Sequence, residues 1–243
     1  GQTVQRTVLA TGGVVLASGG FNRHPQRRSE MLPGAHPDWS PAAPGHTGQA
    51  LDLALQAGAA LGEGGLSHAF WAPVSIRRRA DGSTAAFPHF VMDRGKPGTI
   101  TVDSQGQRYL NESTSYHLFG IAMQAHHATT PSVPSWLVCD AGALKRYGIG
   151  MIRPGGKGLV PFLADGYLKR GHTLADLAQQ LNMPSDKLKA TVDDIWYGHI
   201  RAHYIMTAGA CKQVLAVGTT EPCRLQWAQH PWLKATLYGV VGF

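Results

Sequence analysis

The sequence predicts an α/β fold, and three observations carry that prediction. Val14-Val15-Leu16-Ala17 is a β-branched apolar run that enters Ser18-Gly19-Gly20 and then a polar segment able to start a helix. A strand, a glycine turn and a helix in that order open many α/β proteins. Residues 47–61, "TGQALDLALQAGAAL", place Ala50, Leu51, Ala54, Ala57 and Leu61 at helical spacing. From residue 66 to 110 the pattern turns to β, and amphipathic helices follow, so the section starting near residue 63 reads as an α+β cap.

Each element has a local reason. Thr3–Ala10 reads as extended and Gly12-Gly13 as a turn, while Val14–Ala17 suits a strand buried on both faces. Asn22 or His24 opens a short helix over "HPQRRSEML", with Pro25 tolerated in its first turn. Residues 33–46 hold four prolines and two glycines and form a surface loop. Thr47 is the expected N-cap of the helix over 47–61, whose Ala/Gly-rich face would pack closely on a sheet. Gly58 there costs about 1 kcal/mol relative to Ala, which marks close packing or the helix end.

"HAFWAPVSIRRR" reads as a strand before an Asp81-Gly82 turn. Thr99–Val102 and Arg108–Leu110 flank Ser104–Gln107 as a second hairpin. Residues 116–126 form a helix and "SWLVCD" at 135–140 a buried strand. "TLADLAQQL" and "SDKLKATVDDIWYGHI" are helices joined by Asn182-Met183-Pro184, with Thr173–Asp176 and Ser185 as caps.

Composition excludes several function classes. The 22 Lys and Arg against 15 Asp and Glu give a net charge of +7, which attracts anions in general. The basic residues are scattered, with Arg77-Arg78-Arg79 read as a solvated strand end, so no nucleic-acid partner is expected. Cys139, Cys211 and Cys223 are odd in number and far apart, which argues against a disulfide framework or a structural zinc and for a reduced, cytoplasmic compartment. His126-His127, the one adjacent histidine pair, would diverge on a helix, so no metal site is expected. No apolar run reaches the roughly 18 residues of a membrane helix. The start of the chain mimics a signal peptide between Arg6 and Asn22, but four glycines interrupt it. Residue 1 is Gly, which suggests a fragment or a processed product.

Chemistry concentrates in three places. Ala17, Ser18, Gly19 and Gly20 bring bare backbone to the end of a strand, where open α/β sheets bind ligands. Gly45-His46-Thr47-Gly48 brings more to a helix N-terminus, where free N–H groups favour an anion. The pair could cradle one phosphate-bearing cofactor; a tight turn and a helix cap account for each segment equally well. The third place is "GQRYLNESTSYHLFG", residues 106–120, where Glu112, Tyr116 and His117 put three proton-transfer groups within six residues. Asn111 and Glu112 as turn caps, with Tyr116 packed at the surface, is the alternative.

The order and spacing of "VVLASGGF", "PGHTGQALDLALQAGAAL", "AFWAPVS", "DRGKPGTITVDSQGQRYLNESTSYHLFGIAM" and "PSWLVCD" resembles the FAD-dependent fumarate reductase/succinate dehydrogenase flavoprotein family. The branch most similar is that of the 3-ketosteroid Δ1-dehydrogenases, and the resemblance covers roughly residues 1–195. It implies a Rossmann-like FAD domain interrupted by a substrate-capping domain. The expected layout is a partial FAD domain over 1–62, a capping domain over 63–195, and a poorly matching tail over 196–243 that partly returns to the FAD domain. By resemblance, Ala17, Ser18, Gly19 and Gly20 stand at the family's Ala-Thr-Gly-Gly strand end beside FAD, and Thr47 and Gly48 in its Thr-Gly-Asp-Gly helix start. Asn111 and Glu112 stand in its Asn-Glu motif, and Tyr116 at the tyrosine expected for proton transfer in the steroid branch.

Gln49 and Ala50 depart from the family's Asp-Gly, and no Gly-x-Gly-x-x-Gly occurs in the chain. The glycine-rich C-terminal segment is also missing, so the sequence reads as a truncated or aberrant piece of a longer gene. The family reaction implied is dehydrogenation of a CH–CH bond beside a carbonyl, with hydride to FAD, a proton to Tyr, and an apolar carbonyl substrate such as a steroid. Phe70, Trp71, Phe87, Phe90 and Phe119 are candidate pocket residues. A fumarate or succinate-type enzyme is the alternative, with Arg94, Arg108 or His68 as a dicarboxylate clamp. A truncated, inactive chain is the other, since without the pyrophosphate loop weak or no FAD binding is expected. Truncation predicts exposed apolar surface where the missing half-domain would pack, and self-association through it.

Overall fold

The computed structural model describes residues 3–63, 65–194 and the backbone of 237–241. The end of the helix expected through Ile200, most of the tail, Cys211 and Cys223 lie outside the described residues. The chain divides into two compact units, Gly1–Ala69 and Phe70–Phe243.

In the first unit, helix α1 (Pro25–Met31) starts where the sequence places it. The His24 ring accepts the Arg27 amide hydrogen bond and Pro25 fills the first turn. Two arginines gather the proline-rich loop that follows. Arg23 donates to the carbonyls of Ser40 (2.8 Å) and Ala42 (2.9 Å), and buried Arg28 to those of Asn22 (3.1 Å) and His36 (2.9 Å). Helix α2 is shorter than predicted, Gln49–Gln56, and its N-cap is Gly48 rather than Thr47. Gly48 has a φ of +79°, a left-handed conformation that glycine adopts without strain, so the cap position falls there. Gly58, at φ +89°, follows the helix end.

The predicted strand Val14–Ala17 is not formed. Residues 3–20 carry no regular structure, and Val14, Val15 and Leu16 are exposed. A strand of this kind exists only when neighbours satisfy its ladder on both sides, and the described residues of this unit contain no strand to pair with it. Helix α2 buries no residue.

The second unit is built on antiparallel pairing. Strands β1 (Val74–Arg78) and β2 (Thr84–Pro88) form a two-stranded ribbon, with Val74 opposite Pro88. Its turn is held by Asp81, whose carboxylate accepts the Ser83 amide at 2.9 Å and hydroxyl at 2.6 Å. After the short helix α3 (Val91–Arg94) come strand β3 (Thr99–Val102), helix α4 (Tyr116–His127) and strand β4 (Trp136–Asp140). Helices α5 (Ala141–Tyr147) and α6 (Val160–Ala164), strand β5 (Leu168–Gly171), helix α7 (Leu174–Gln180), a helix α8 over 185–194 and strand β6 (Leu237–Val241) complete it. A four-stranded sheet has the order β3-β4-β6-β5, antiparallel throughout.

Helices cover both faces of that sheet, and the side-chain alternation of β4 assigns them. Leu137 and Cys139 join Phe119 and Met123 of α4 and Leu144 of α5 in one core; Val138 points the other way, into Ile100, Val102, Leu177, Ala178 and Leu188. Thr173 caps α7 by accepting the Asp176 amide at 3.0 Å, while Asp176 accepts the His172 amide at 2.9 Å, so the expected cap is reciprocal.

The second predicted hairpin is corrected in one leg. The turn exists, with the Asp103 carboxylate accepting the amides of Gln105 and Gln107, but β3 pairs with β4 and Arg108–Leu110 is not a strand. Side chains pull that leg away. Tyr109 stacks on His126 of α4 at 4.4 Å between ring centroids, and Arg108 turns to Glu112. The adjacent histidines have structural work: His126 meets Asp103 at 3.0 Å, and His127 Nδ1 accepts the amides of Ser132 and Val133.

Candidate functional site

In the second unit the site is assembled at the N-terminus of α4. Asn111 forms a side-chain turn by accepting the Ser113 amide at 2.9 Å, and Ser115 caps the helix by accepting the Leu118 amide. Tyr116 is therefore the first helical residue. Its ring meets the Phe90 ring edge to face, with 5.2 Å between centroids and 73° between planes. Its hydroxyl has no hydrogen-bond partner among the described residues. Phe70, Phe90, Met92, Tyr116 and Leu118 are all exposed in this unit.

His117 and Glu112 have different surroundings. The His117 Nδ1 accepts the Trp71 amide at 3.1 Å, which leaves the proton of the neutral ring on Nε2, and Phe70 lies 5.0 Å from the ring. Glu112 is buried, and Arg108 donates to both of its carboxylate oxygens, at 2.9 Å from Nε and 2.6 Å from Nη2 to Oε2 and at 3.0 Å from Nε to Oε1. Oε1 also accepts the Thr101 amide at 2.8 Å. This geometry anchors the loop to β3. The pair holds the Arg108 guanidinium above its ordinary pKa, chiefly through the hydrogen bonds to Glu112.

Of the predicted pocket aromatics, Phe70, Trp71 and Phe90 gather here. Phe119 is instead fully buried core, and Phe87 packs against His89 at 5.1 Å. Of the residues named for a dicarboxylate clamp, Arg108 is bound to Glu112, Arg94 is fully buried on backbone carbonyls, and His68 is exposed in the first unit.

Sequence reasoning missed a buried polar chain next to this site. Asp93 pairs with His89 Nδ1, His89 Nε2 meets Ser75 Oγ at 2.7 Å, and Ser75 Oγ meets the Tyr167 hydroxyl at 2.7 Å. Tyr167 accepts the Met151 amide at 3.2 Å and Asp93 the Gly150 amide at 3.1 Å. With Asp93 ionised, the protons run one way: Tyr167 donates to Ser75, Ser75 to His89 Nε2, and His89 Nδ1–H to Asp93. Burial pushes the His89 pKa down despite Asp93, and pushes the Tyr167 phenol up. The four residues are spread over 93 positions (75 to 167), so no local spacing could have found them.

In the first unit the two glycine-rich segments do meet. The Arg23 amide donates to the His46 carbonyl at 2.8 Å, and the His46 ring lies where a Gly19 Cβ would stand, 3.0 Å away. The face of Gly48 is taken by Phe21 (3.1 Å) and that of Gly20 by Asn22 (3.2 Å). Ala17 and Ser18 are exposed, and Thr47 is half-buried beside Gly48. Gly19 and Gly20 remain exposed and Gly48 is buried, while the strand expected before Gly19 is unformed.

Residues 2–240 match the FAD binding domain family. The 4-oxocyclohex-2-ene-1-carboxylate 5-dehydrogenase of Sinomonas cyclohexanicum is 36% identical over 188 residues, 76% of this chain and 32% of the relative. The 3-oxosteroid 1-dehydrogenase of Mycolicibacterium smegmatis is 28% identical over 195 residues, 77% of this chain and 33% of the relative. The crystal structure of 3-ketosteroid Δ1-dehydrogenase from Sterolibacterium denitrificans, in complex with 1,4-androstadiene-3,17-dione, superposes with a TM-score of 0.65 at 26% identity, over 92% of this chain and 40% of that one. A flavocytochrome c3 fumarate reductase shares the fold, with a TM-score of 0.50 at 19% identity. The chain thus spans about a third of the length of the curated relatives it matches. The chain belongs to the FAD binding domain family, whose cofactor is FAD, and within it to the branch that resembles the 3-oxosteroid 1-dehydrogenases.

Proposed function

We propose that this chain is the central part of an FAD-dependent dehydrogenase that desaturates a cyclic ketone next to its carbonyl, and that Tyr116 moves the proton in that reaction. Residues 1–62 are the partial FAD domain, residues 63–195 the substrate-capping domain, and 196–243 the tail. The edge-to-face pair of Phe90 and Tyr116 carries the reading. It sets an unpartnered phenol hydroxyl on an exposed aromatic surface, where a flat apolar ring can lie and present a C–H to that oxygen. The relatives support the substrate class, since their names specify 3-oxosteroids and oxocyclohexane carboxylates. Glu112 and His117 hold the loop and helix that carry Tyr116; they do not themselves exchange the proton.

A second reading has its own observation. The unformed strand before Gly19, with Val14–Leu16 exposed and Phe21 packed against Gly48, favours a chain that holds no flavin by itself and is inactive alone. One experiment separates the two. The chain is incubated with FAD, freed of unbound cofactor, and examined for visible flavin absorbance and for its bleaching by a 3-ketosteroid or by 4-oxocyclohexanecarboxylate. Bound, bleachable flavin, with a loss of about 100-fold or more in the Tyr116→Phe variant, upholds the first reading. A colourless protein upholds the second.

A further inference from the structure

We infer that Arg94 is the positioning residue for Tyr116: one buried guanidinium fixes the backbone on both sides of the Phe90–Tyr116 pair. The inference rests on the reading of Tyr116 given above. Arg94 ends α3 and is fully buried. Its Nε donates to the His89 carbonyl at 2.9 Å, Nη1 to the Glu112 carbonyl at 2.7 Å, and Nη2 to the Thr114 carbonyl at 3.0 Å. The guanidinium carbon lies 4.0 Å over the Phe119 ring.

The placement of those acceptors is what matters. His89 immediately precedes Phe90, whereas Glu112 and Thr114 lead into Ser115 and Tyr116. Phe119, under the guanidinium plane, stands three residues along α4 from Tyr116, on the neighbouring turn. One rigid fork of donors therefore spaces the segment carrying Phe90 from the segment carrying Tyr116. No carboxylate lies within ion-pair distance of Arg94 among the described residues. A buried cation so held is costly unless every donor is well placed, so its geometry is demanding. Burial brings its pKa down to about 10, and the group stays charged at neutral pH. Lysine, with three donors on one nitrogen, cannot span the same three carbonyls.

The test reads the Tyr116 ring directly, in the whole chain labelled with 3-fluorotyrosine and observed by fluorine NMR. Tyr116→Phe identifies its signal, and Phe90→Ala gives the signal position without the ring partner. Arg94→Lys keeps the charge but not the fork. The expected result is a shift of the Tyr116 signal toward its Phe90→Ala position, with the Tyr167 signal unmoved. A folded Arg94→Lys chain with an unmoved Tyr116 signal overturns the inference, and so does an equal shift at Tyr167. Should the lysine variant not fold, the unmodified chain supplies the second readout. The Arg94 Nε–H, which donates to the His89 carbonyl, is expected to exchange with water far more slowly than those of exposed Arg78 and Arg79, and exchange at their rate overturns the clamp. Both measurements need neither cofactor nor substrate. Turnover surviving in Tyr116→Phe would sink the proton-transfer reading and leave the clamp standing, and an unmoved signal would do the reverse.

Discussion

Arg108 grips both carboxylate oxygens of Glu112, four residues on, while the far side of that carboxylate takes the Thr101 amide of β3. The pair is the knot that ties the Asn-Glu loop to the sheet. Removing Glu112's charge unpairs Arg108 and the hydrogen bonds that it makes. Glu112→Gln is expected to cost about 1–3 kcal/mol, read as a lower midpoint in denaturant. Arg108, with its side chain about a third exposed (36%), can regain some hydration in that variant, which favours the lower end. The Arg108→Ala, Glu112→Gln double variant should then lose less than the sum of the singles, and strict additivity would contradict the pairing.

How much of this was legible in the sequence follows from where each signal resides. Helix α4, strand β4 and the cap of α7 depend on residues within a few positions, and they form as their patterns require. Val14–Ala17 has an equally clear strand pattern, but a strand is a property of its neighbours as well as its residues, and none is among the described residues of its unit. Arg108–Leu110 failed as a hairpin leg because Tyr109 and Arg108 found partners in α4 and Glu112, beyond any two-residue alternation. At the site, Tyr116 and His117 were visible because they adjoin one motif. The chain from Asp93 to Tyr167, and the Arg94 clamp, were not, because contact between segments far apart in sequence creates them.

The His89 chain predicts an acid sensitivity. Burial sets the folded-state pKa of His89 below its ordinary value near 6.5. The unfolded chain therefore binds the proton first as pH falls. Stability contributed by neutral His89 is fully present above about 6.5 and is lost as pH falls from there toward the lowered folded-state value. Ser75 on β1, Asp93 and Arg94 on α3 and Tyr167 before β5 are the groups around it; Asp93 opposes the shift and Arg94 adds to it. Denaturant midpoints of the unmodified chain should drop on acidification through this range. In His89→Gln the drop should be shallower, on top of a cost at neutral pH of about 1–3 kcal/mol for each buried partner left unsatisfied. Parallel pH profiles would refute the assignment.

Cys139 lies in the core face of β4, 1% exposed, with Leu137 two residues before it on the same face. Burial pushes its thiol up, away from the reactive thiolate. Alkylation mapped by peptide mass spectrometry should find Cys139 unmodified in the native chain and fully modified in denaturant. Rapid native labelling at Cys139 would mean that the sheet opens readily.

Val14, Val15 and Leu16 are 77%, 90% and 54% exposed. Three consecutive apolar residues whose backbone groups take no backbone partner among the described residues are a template for strand pairing with another chain. The first unit offers no internal strand among its described residues, so the pairing has to come from outside it. The chain is therefore expected to self-associate with rising concentration, read by sedimentation velocity. Val15→Lys places a charge in the middle of the run and should shift the distribution toward monomer. Its denaturant midpoint should stay within about 0.5 kcal/mol of the parent, because an exposed side chain loses no packing. A Val15→Lys chain that associates as strongly as the parent would assign the association to another surface, with the exposed aromatics Phe70 and Phe90 of the second unit the next to test.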